Sequence, residues 1–501
     1  MKNLGAKSLS AVFWGTGGAI IRLILQFGAQ VVLARILGPE QYGLFAIGAI
    51  VIGFSGFFSD IGLAYGLIQK ETVVDRDIRF VFTWQVILGL AVTLAIGLSA
   101  EAIATFFGDA RAADVVKALA IICLLNALAA PSLNLLKRNL DFRRIQMAQI
   151  TGFIVGYVFF GIPLALYGSQ AWALVVAWLI QATVFLALTY AATRHPLAPL
   201  IRYENAKSLS AYGATVLVTN LVNWLINNVD RVIIGRVFSS REIGLYATSY
   251  NMLYTPTTSL LGIVQPVFFS AASRSTHNPE VIASSYRALI GAVVVFVLPA
   301  FAVIGAIAET FVLALYGPKW HEAVALLRPL ALAMPLFLIW GFTTPLLWTG
   351  GHASKEFRVQ LPIALIWIGA CWLAAQQSVE MVAWTVLALF VVRCLVIVGS
   401  AIRILKMDIL PIWRSVRGGL LIAPLLALLV FSVDALCHDF HPIARLALDA
   451  LLGALGLMAL LRILPWSIGI ELAQLLNRIL DRTPVKVARH LAFLGRAGKS
   501  E

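Results

Sequence analysis

An apolar run near the amino terminus decides the fold class: residues 11–33 read AVFWGTGGAIIRLILQFGAQVVL. As a helix, this run is long enough to cross a hydrocarbon core of roughly 30 Å. It is too long for the core of a signal peptide and no convincing cleavage site follows it, so we expect a retained span. Similar runs recur along nearly the whole chain. They predict an all-α polytopic membrane protein.

The composition excludes an ordinary soluble protein. Of the 501 residues, 60% are hydrophobic and only 12% are charged, about half the charged share of a typical soluble domain. The four cysteines are scattered and lack the spacing of metal ligands. Neither a disulfide framework, a metal site nor a cofactor is therefore expected.

Hydropathy predicts about 14 transmembrane helices. Their approximate bounds are 11–33, 43–68, 80–107, 115–135, 146–167, 171–193, 211–235, 243–270, 287–316, 322–348, 359–375, 380–402, 416–435 and 445–463. The net charge is +14, but most Lys and Arg residues fall in the amino terminus, in alternate loops and in the tail. This asymmetry is the positive-inside signal. We expect no nucleic-acid partner, a location in the bacterial cell inner membrane, and both termini in the cytoplasm.

One sequence unit occurs twice in the chain. Residues 6–11, AKSLSA, recur identically at 206–211, and residues 43–46, GLFA, recur as GLYA at 244–247. Each unit holds six predicted spans, an even number, so both units have the same orientation in the membrane. Parallel repeats of this kind are typical of transporters in which two bundles rock about a shared site.

The predicted domain organisation follows from this repeat. Residues 1–200 form an amino-terminal six-helix bundle, and residues 201–405 form a second, pseudo-symmetric one. Residues 406–465 supply two appended transmembrane helices. Residues 466–501 form a basic cytoplasmic tail, whose amphipathic helix is expected to lie on anionic lipid.

Two predicted spans carry polar stripes, each along one helical face. In span 1 the stripe covers an arc of about 80° and consists of Arg22, Gln26 and Gln30. In span 7 the stripe covers about 100° and consists of Asn220, Asn223, Asn227, Asp230 and Arg231. The two stripes occupy matching positions in the two repeats.

Two interpretations of these stripes are open. Either they line a water-filled substrate cavity between the bundles, or they bond helices together inside a core. A charge near the centre of a span costs about 2.5–3.5 kcal/mol, so Arg22 should face protein or water. A cavity of amides with Arg22 and Arg231 suits a ligand that combines sugar hydroxyls with phosphate, because amides pair with hydroxyls and guanidinium groups pair with phosphate.

The remaining ionisable residues in spans give weaker signals. Asp60 and Asp230 are the only carboxylates convincingly placed in spans. Each is either a coupling site or a structural partner, Asp60 of Arg22 and Asp230 of Arg231 or another neighbour. Coupling to a proton, a sodium ion or the membrane potential is open. Arg393 in span 12 belongs to no stripe, so snorkelling or a local ion pair is the favoured explanation.

Three short stretches near the amino terminus carry a family resemblance. They are RILGPEQYGL at 35–44, FFSDIGL at 57–63 and LIQK at 67–70. They resemble the polysaccharide transporter family of the multidrug/oligosaccharidyl-lipid/polysaccharide exporter superfamily. That family contains the Wzx-type lipopolysaccharide and exopolysaccharide flippases. The likeness extends over about residues 5–405.

The resemblance implies a fold, a cargo and partners. It implies two six-helix lobes, alternating access, and a cationic cavity to which Arg22 and Arg231 would contribute. The implied cargo is an undecaprenyl-diphosphate-linked oligosaccharide repeat unit, moved from the inner to the outer leaflet for surface polysaccharide or exopolysaccharide biosynthesis. The implied partners are membrane lipids, a polysaccharide polymerase and export machinery.

Two other functions remain open. An ion-coupled multidrug exporter would share the superfamily fold, but a pocket for cations would need more carboxylates. A membrane-embedded polymerase or ligase would need large outer loops, whereas the predicted outer segments are short. The sequence also has no GxSxG motif, no HExxH motif and no paired inner-loop carboxylates, so we do not expect an enzyme.

Overall fold

The computed structural model describes residues 2–59, 63–204, 213–274, 279–349, 353–404 and 406–480. Within these ranges every regular element is a helix, which confirms the all-α prediction. Backbone contacts divide the chain into two compact units, Met1–Thr248 and Ser249–Glu501. The first unit therefore includes the predicted seventh span, and the division of the sequence repeat near residue 200 stays a prediction.

The first unit is built mainly from long helices. They are α1 (Lys2–Leu37), α2 (Pro39–Ser59), α3 (Leu63–Gln69), α4 (Asp75–Phe107), α5 (Ala112–Arg138), α6 (Phe142–Phe153), α7 (Ile162–Leu166), α8 (Trp172–Thr193), α9 (Gly213–Val237) and the start of α10 (Ser240–Arg274). Helix α5 lies at the centre, where it packs against α4, α8 and α2. Its buried small residues, such as Ala120 and Ala127, let neighbouring backbones approach closely.

The second unit continues from α10. Its further helices are α11 (Pro279–Ala292), α12 (Leu298–Ala306), α13 (Ala308–Leu315), α14 (Ala323–Thr349), α15 (Ala353–Ala375), α16 (Val379–Ile404), α17 (Ile409–Leu436), α18 (Pro442–Ile463) and α19 (Ile470–Leu480). Helix α14 is central and packs against α16 and α12. Its core includes the fully buried Phe342 and Leu338, which pack with Tyr286 of α11.

Eleven of the described helical segments are long and apolar enough to cross a membrane, so the chain is a multi-pass membrane protein. The predicted seventh and eighth spans are helical, as α9 and α10, but they are not among these eleven. Their polar residues lower the hydropathy. In the eleventh predicted span only the shorter segment Pro362–Ala375 is apolar enough. The count of 14 spans is therefore not confirmed, although the helices exist.

Two spans contain π-helical turns next to a proline. The turn at Ile154–Gly161 precedes Pro163, and the turn at Val293–Val297 precedes Pro299. Proline has no backbone N–H, so the preceding turn loses an α-helical hydrogen bond and the backbone widens locally. Such turns are sites where a transmembrane helix bends.

The repeated GLFA and GLYA stretches meet in space. Helices α2 and α10 cross near their first turns, and the backbones are so close that a Cβ on Gly43 would overlap the carbonyl oxygen of Ser240. A Cβ on Gly244 would likewise overlap the carbonyl oxygen of Pro39. Pro39 and Ser240 are themselves equivalent in the repeat, so the contact is symmetric. The repeat thus brings two equivalent glycines together inside the first unit.

The carboxy-terminal helix α19 packs on the second unit. Leu472 and Ala473 are buried with Val295 and Ile422, and Leu476 packs against the same cluster. Glu471 also receives a hydrogen bond from Arg287 of α11 at 2.6 Å. The amphipathic helix is present where the sequence predicted it, but much of its apolar face contacts protein. The basic residues of the tail after residue 480 lie outside the described residues.

Candidate functional site

The polar stripe of α1 is half-buried, and its arginine has a partner in a neighbouring helix. Arg22, Gln26 and Gln30 all have intermediate exposure. The Nη1 of Arg22 donates to the Oε1 of Gln149 in α6. On the opposite face of α1, apolar residues such as Ile24, which is 66% exposed, lie at the surface. The stripe of α1 therefore points toward other helices of the first unit, and the sequence did not indicate Gln149 as a partner.

The stripe of α9 is also half-buried. Asn223, Asn227 and Arg231 have intermediate exposure. The Nη1 of Arg231 donates to the Oδ1 of Asn228 at 3.0 Å, although Asn228 lies off the predicted arc. Of the other predicted site residues, Asp60 and the side chain of Asn220 lie outside the described residues.

Asp230 is paired with a tyrosine. The hydroxyl of Tyr246 donates to the Oδ2 of Asp230 at 2.6 Å, and both side chains are buried. This partner is one that the sequence did not indicate. In the first repeat the equivalent positions hold Ala29 and Phe45, so the polar pair occurs only in the second copy. The contact favours a structural role for Asp230, because a hydroxyl donor stabilises the carboxylate in an apolar core.

A charged cluster lies where α2, α4 and α10 begin or end in the first unit. Arg111 contacts Glu40 at 2.8 Å and Asp109 at 2.8 Å, and the Ser240 hydroxyl donates to Asp109 at 2.5 Å. The Arg111 guanidinium lowers the pKa of Asp109, and these carboxylates raise the pKa of Arg111. With Arg236 and Arg241, these residues line a cavity of about 350 Å³. The cluster fixes the loop after α4 to the two crossing helices.

Arg393 is buried, so of the two explanations that the sequence left open, snorkelling and a local ion pair, snorkelling does not apply. Arg393 is 1% exposed, its Nη2 donates to the Oε1 of Gln360 at 2.6 Å, and its guanidinium lies 3.8 Å from the ring centre of Trp340. The amide and the indole face together replace part of the hydration that the cation loses. Sequence spacing alone could not indicate that Gln360 and Trp340 contact Arg393, because the three residues lie on three helices.

Removing this guanidinium should weaken the second unit. We expect Arg393→Ala to lower the free energy of unfolding by about 2 kcal/mol, since it removes a desolvated cation–π contact and a charge-assisted hydrogen bond. The matched control is Arg403→Ala, because Arg403 is on the same helix but is exposed. Denaturation in detergent would compare the two variants. Equal stability of both would contradict a structural role for Arg393.

The expectation that only Asp60 and Asp230 lie within spans was wrong. Asp434 of α17 and Asp449 of α18 are 6% and 1% exposed. The Nε and Nη2 of Arg445 donate to the two carboxylate oxygens of Asp434 at 2.9 and 2.8 Å, and the Thr310 hydroxyl donates to one of them at 2.7 Å. The signal was present in the sequence, because both aspartates fall inside the last two predicted spans.

Comparison with known proteins gives a family and a fold. Residues 32–325 match the model of the polysaccharide biosynthesis protein family. The teichuronic acid biosynthesis protein TuaB of Bacillus subtilis (strain 168) is 22% identical over 92% of this chain and 96% of that protein. The succinoglycan biosynthesis transport protein ExoT of Rhizobium meliloti (strain 1021) is 24% identical over 86% of this chain and 85% of that protein.

A solved structure of lipid II flippase MurJ, in an inward closed conformation, has the same fold. The TM-score is 0.72 with 14% sequence identity, and the match covers 89% of this chain and 97% of that one. The family match spans more than half of the chain and includes all three stretches that carry the resemblance, at 35–44, 57–63 and 67–70, so that resemblance is confirmed. This chain belongs to the polysaccharide biosynthesis protein family.

Proposed function

We propose that this protein is a flippase for a lipid-linked oligosaccharide. It moves an undecaprenyl-diphosphate-linked repeat unit from the inner to the outer leaflet of the bacterial inner membrane by alternating access, and both termini are cytoplasmic. The family match over residues 32–325 carries the proposal. The names of the relatives support it, since ExoT is a succinoglycan biosynthesis transport protein and MurJ, which shares the fold, is a lipid II flippase.

The chemistry of α1 and α9 fits such a cargo. Arg22 and Arg231 each donate a hydrogen bond to an amide, Gln149 and Asn228 respectively. A guanidinium carries five N–H donors in a planar fork, which matches phosphate oxygens, and amides pair with sugar hydroxyls. We place the diphosphate near these two arginines and the sugars near the amides of the same stripes.

The alternative functions fit the described residues less well. A multidrug exporter for cations would need accessible carboxylates, yet Asp230 is buried against Tyr246. A polymerase or ligase would need room outside the membrane, yet the connections after α4 and between α7 and α8 are only a few residues long. We therefore propose a transporter, working with a separate polymerase and export machinery, and coupled to a proton, a sodium ion or the membrane potential.

Gene deletion and complementation test the function. In the deletion strain we expect lipid-linked repeat units to accumulate on the cytoplasmic side, because synthesis continues while transfer to the outer leaflet stops. Surface polysaccharide should be lost, and the wild-type gene should restore it while an empty vector does not. Unaltered surface polysaccharide without accumulation of the lipid-linked precursor would contradict the proposal.

A further inference from the structure

The appended helices α17 and α18 contain a buried group of charges that the proposed function does not use. Asp434 lies near the end of α17, and Arg445 and Asp449 lie in the first turns of α18. Arg445 and Thr310 of α13 occupy the oxygens of Asp434. Asp449 lies within hydrogen-bonding reach of Asp434. It is 1% exposed, and neither of its oxygens receives a hydrogen bond from a described residue.

Charge balance shows what this group lacks. The carboxylate of Asp434 and the guanidinium of Arg445 neutralise each other, so an ionised Asp449 would leave one uncompensated negative charge in the span. An isolated buried carboxylate is costly, and a carboxylate beside another carboxylate is costlier still. One proton on Asp449 removes the net charge. The protonated oxygen can then donate a hydrogen bond to Asp434, which gives Asp449 the partner that it otherwise lacks.

A metal cation fits this position less well than a proton. Arg445 already binds both oxygens of Asp434, and a metal ion placed there would be repelled by the guanidinium at short range. Sodium also needs several oxygen ligands, whereas no group of three or more His, Cys, Asp or Glu residues able to hold a metal occurs in the described part of the chain. A proton needs only one oxygen and one acceptor.

Helices α17, α13 and α12 pack against α18. Asp434 faces it from α17, and Arg445 lies one turn away on α18. On α13, Glu309 is paired with His321 at 3.7 Å, and both are exposed. Helix α12 has no charged residue. Asp449 is about 10 Å along α18 from Pro442, close to the turn where the exposed His438 and Asp439 lie in contact.

We propose that Asp449, held against the Asp434–Arg445 pair, is a proton-binding site that couples transport to the proton gradient. The proton enters from the α17–α18 turn and binds to a carboxylate oxygen of Asp449, whose O–H then donates a hydrogen bond to Asp434. Release of the proton restores the uncompensated charge. The coupling part of this inference rests on the proposed function. The site itself does not, because its protonation can be measured without any cargo.

Infrared difference spectroscopy on the purified full-length protein tests the site. At some pH between about 5 and 9, a range that extends well to either side of the pKa of an ordinary histidine, the wild type should show the infrared carbonyl band of a protonated buried aspartic acid. Asp449→Asn should lose this band, and the control Asp439→Asn should keep it, because Asp439 is 84% exposed on the adjacent turn. A wild-type spectrum with no protonated aspartate at any pH in this range would overturn the proposal, as would an unchanged band in Asp449→Asn.

Transport in liposomes tests the coupling. A pH gradient of about one unit, acidic on the side of the α17–α18 turn, should change the ratio of lipid-linked oligosaccharide between the two leaflets. For each proton coupled to the transport of one molecule, the change is up to about tenfold. We expect Asp449→Asn to respond less than about twofold, and Asp449→Glu to keep the response because it keeps the carboxyl group. Equal responses of wild type and Asp449→Asn would overturn the coupling. A wild type that moves no oligosaccharide would overturn the proposed function, while the infrared band would still decide the site.

Discussion

Replacing Gly43 or Gly244 by alanine is expected to destabilise the protein by about 3 kcal/mol each, the upper range for overpacking a core. A Cβ at either position would overlap a backbone carbonyl oxygen of the other helix. A flexible side chain could rotate away from such an overlap, but a backbone oxygen held in a helix cannot. Helices α2 and α10 would have to separate at their first turns, and the adjacent contact between Ser240 and Asp109 would be lost with them.

Glycines elsewhere in the spans provide matched controls. A Cβ on Gly399 of α16 or on Gly453 of α18 would have no described atom within 4 Å. Alanine is a better helix former than glycine by up to about 1 kcal/mol, so Gly399→Ala and Gly453→Ala should be neutral or stabilising. Thermal unfolding in detergent measures all four variants. Destabilisation of the controls by the same amount would show that the loss at Gly43 and Gly244 does not come from the crossing.

The double variant tests whether the two glycines share one contact. Once Gly43→Ala has forced the helices apart, a second methyl group at Gly244 finds open space. The double variant should therefore cost less than the sum of the single variants, since residues in direct contact are not additive. Full additivity would mean that each glycine packs independently. The two copies of the repeat would then not share one contact at these glycines.

The repeat itself could be predicted from the sequence, but its meeting point could not. The offset between GLFA and GLYA indicates that α2 and α10 are equivalent helices, and it predicts glycine at the same place in each. Equivalence does not require contact, because two copies of a unit can pack through any pair of surfaces. The close approach depends on the crossing angle of two helices, which no local pattern encodes.

Buried charges show a similar division between what the sequence predicts and what it does not. Helical spacing correctly gave a shared face to Arg22, Gln26 and Gln30, but the partner of Arg22 is on α6, far along the chain. For Arg393 the sequence left snorkelling and a local ion pair open, because a long side chain near apolar residues can reach either water or protein. Only packing decides between these, and here Trp340 and Gln360 surround it.

The second large effect is expected on transport, when the arginines of the two polar stripes are replaced. We expect Arg22→Ala and Arg231→Ala each to lower transport of the lipid-linked oligosaccharide about tenfold, and the double variant about 100-fold. A charge-assisted hydrogen bond to phosphate contributes roughly 1.5–3 kcal/mol, and each 1.4 kcal/mol corresponds to about tenfold. The amounts inserted in the membrane should be unchanged. Full export by the double variant would contradict any role of these arginines in cargo binding.

The pairing of Arg22 with Gln149 makes a sharper experiment possible, because it separates the two interpretations of the stripe. If Arg22 only bonds α1 to α6, Gln149→Ala removes the same bond and should lower transport and stability as much as Arg22→Ala does. If Arg22 binds phosphate, Gln149→Ala leaves the guanidinium in place, so transport should fall less than about threefold. Arg22→Lys adds a second distinction: it keeps the charge but loses the planar fork that matches phosphate oxygens. A cargo-binding role therefore predicts that transport decreases in the order wild type, Gln149→Ala, Arg22→Lys, Arg22→Ala. A purely structural role predicts equal transport for Gln149→Ala and Arg22→Ala.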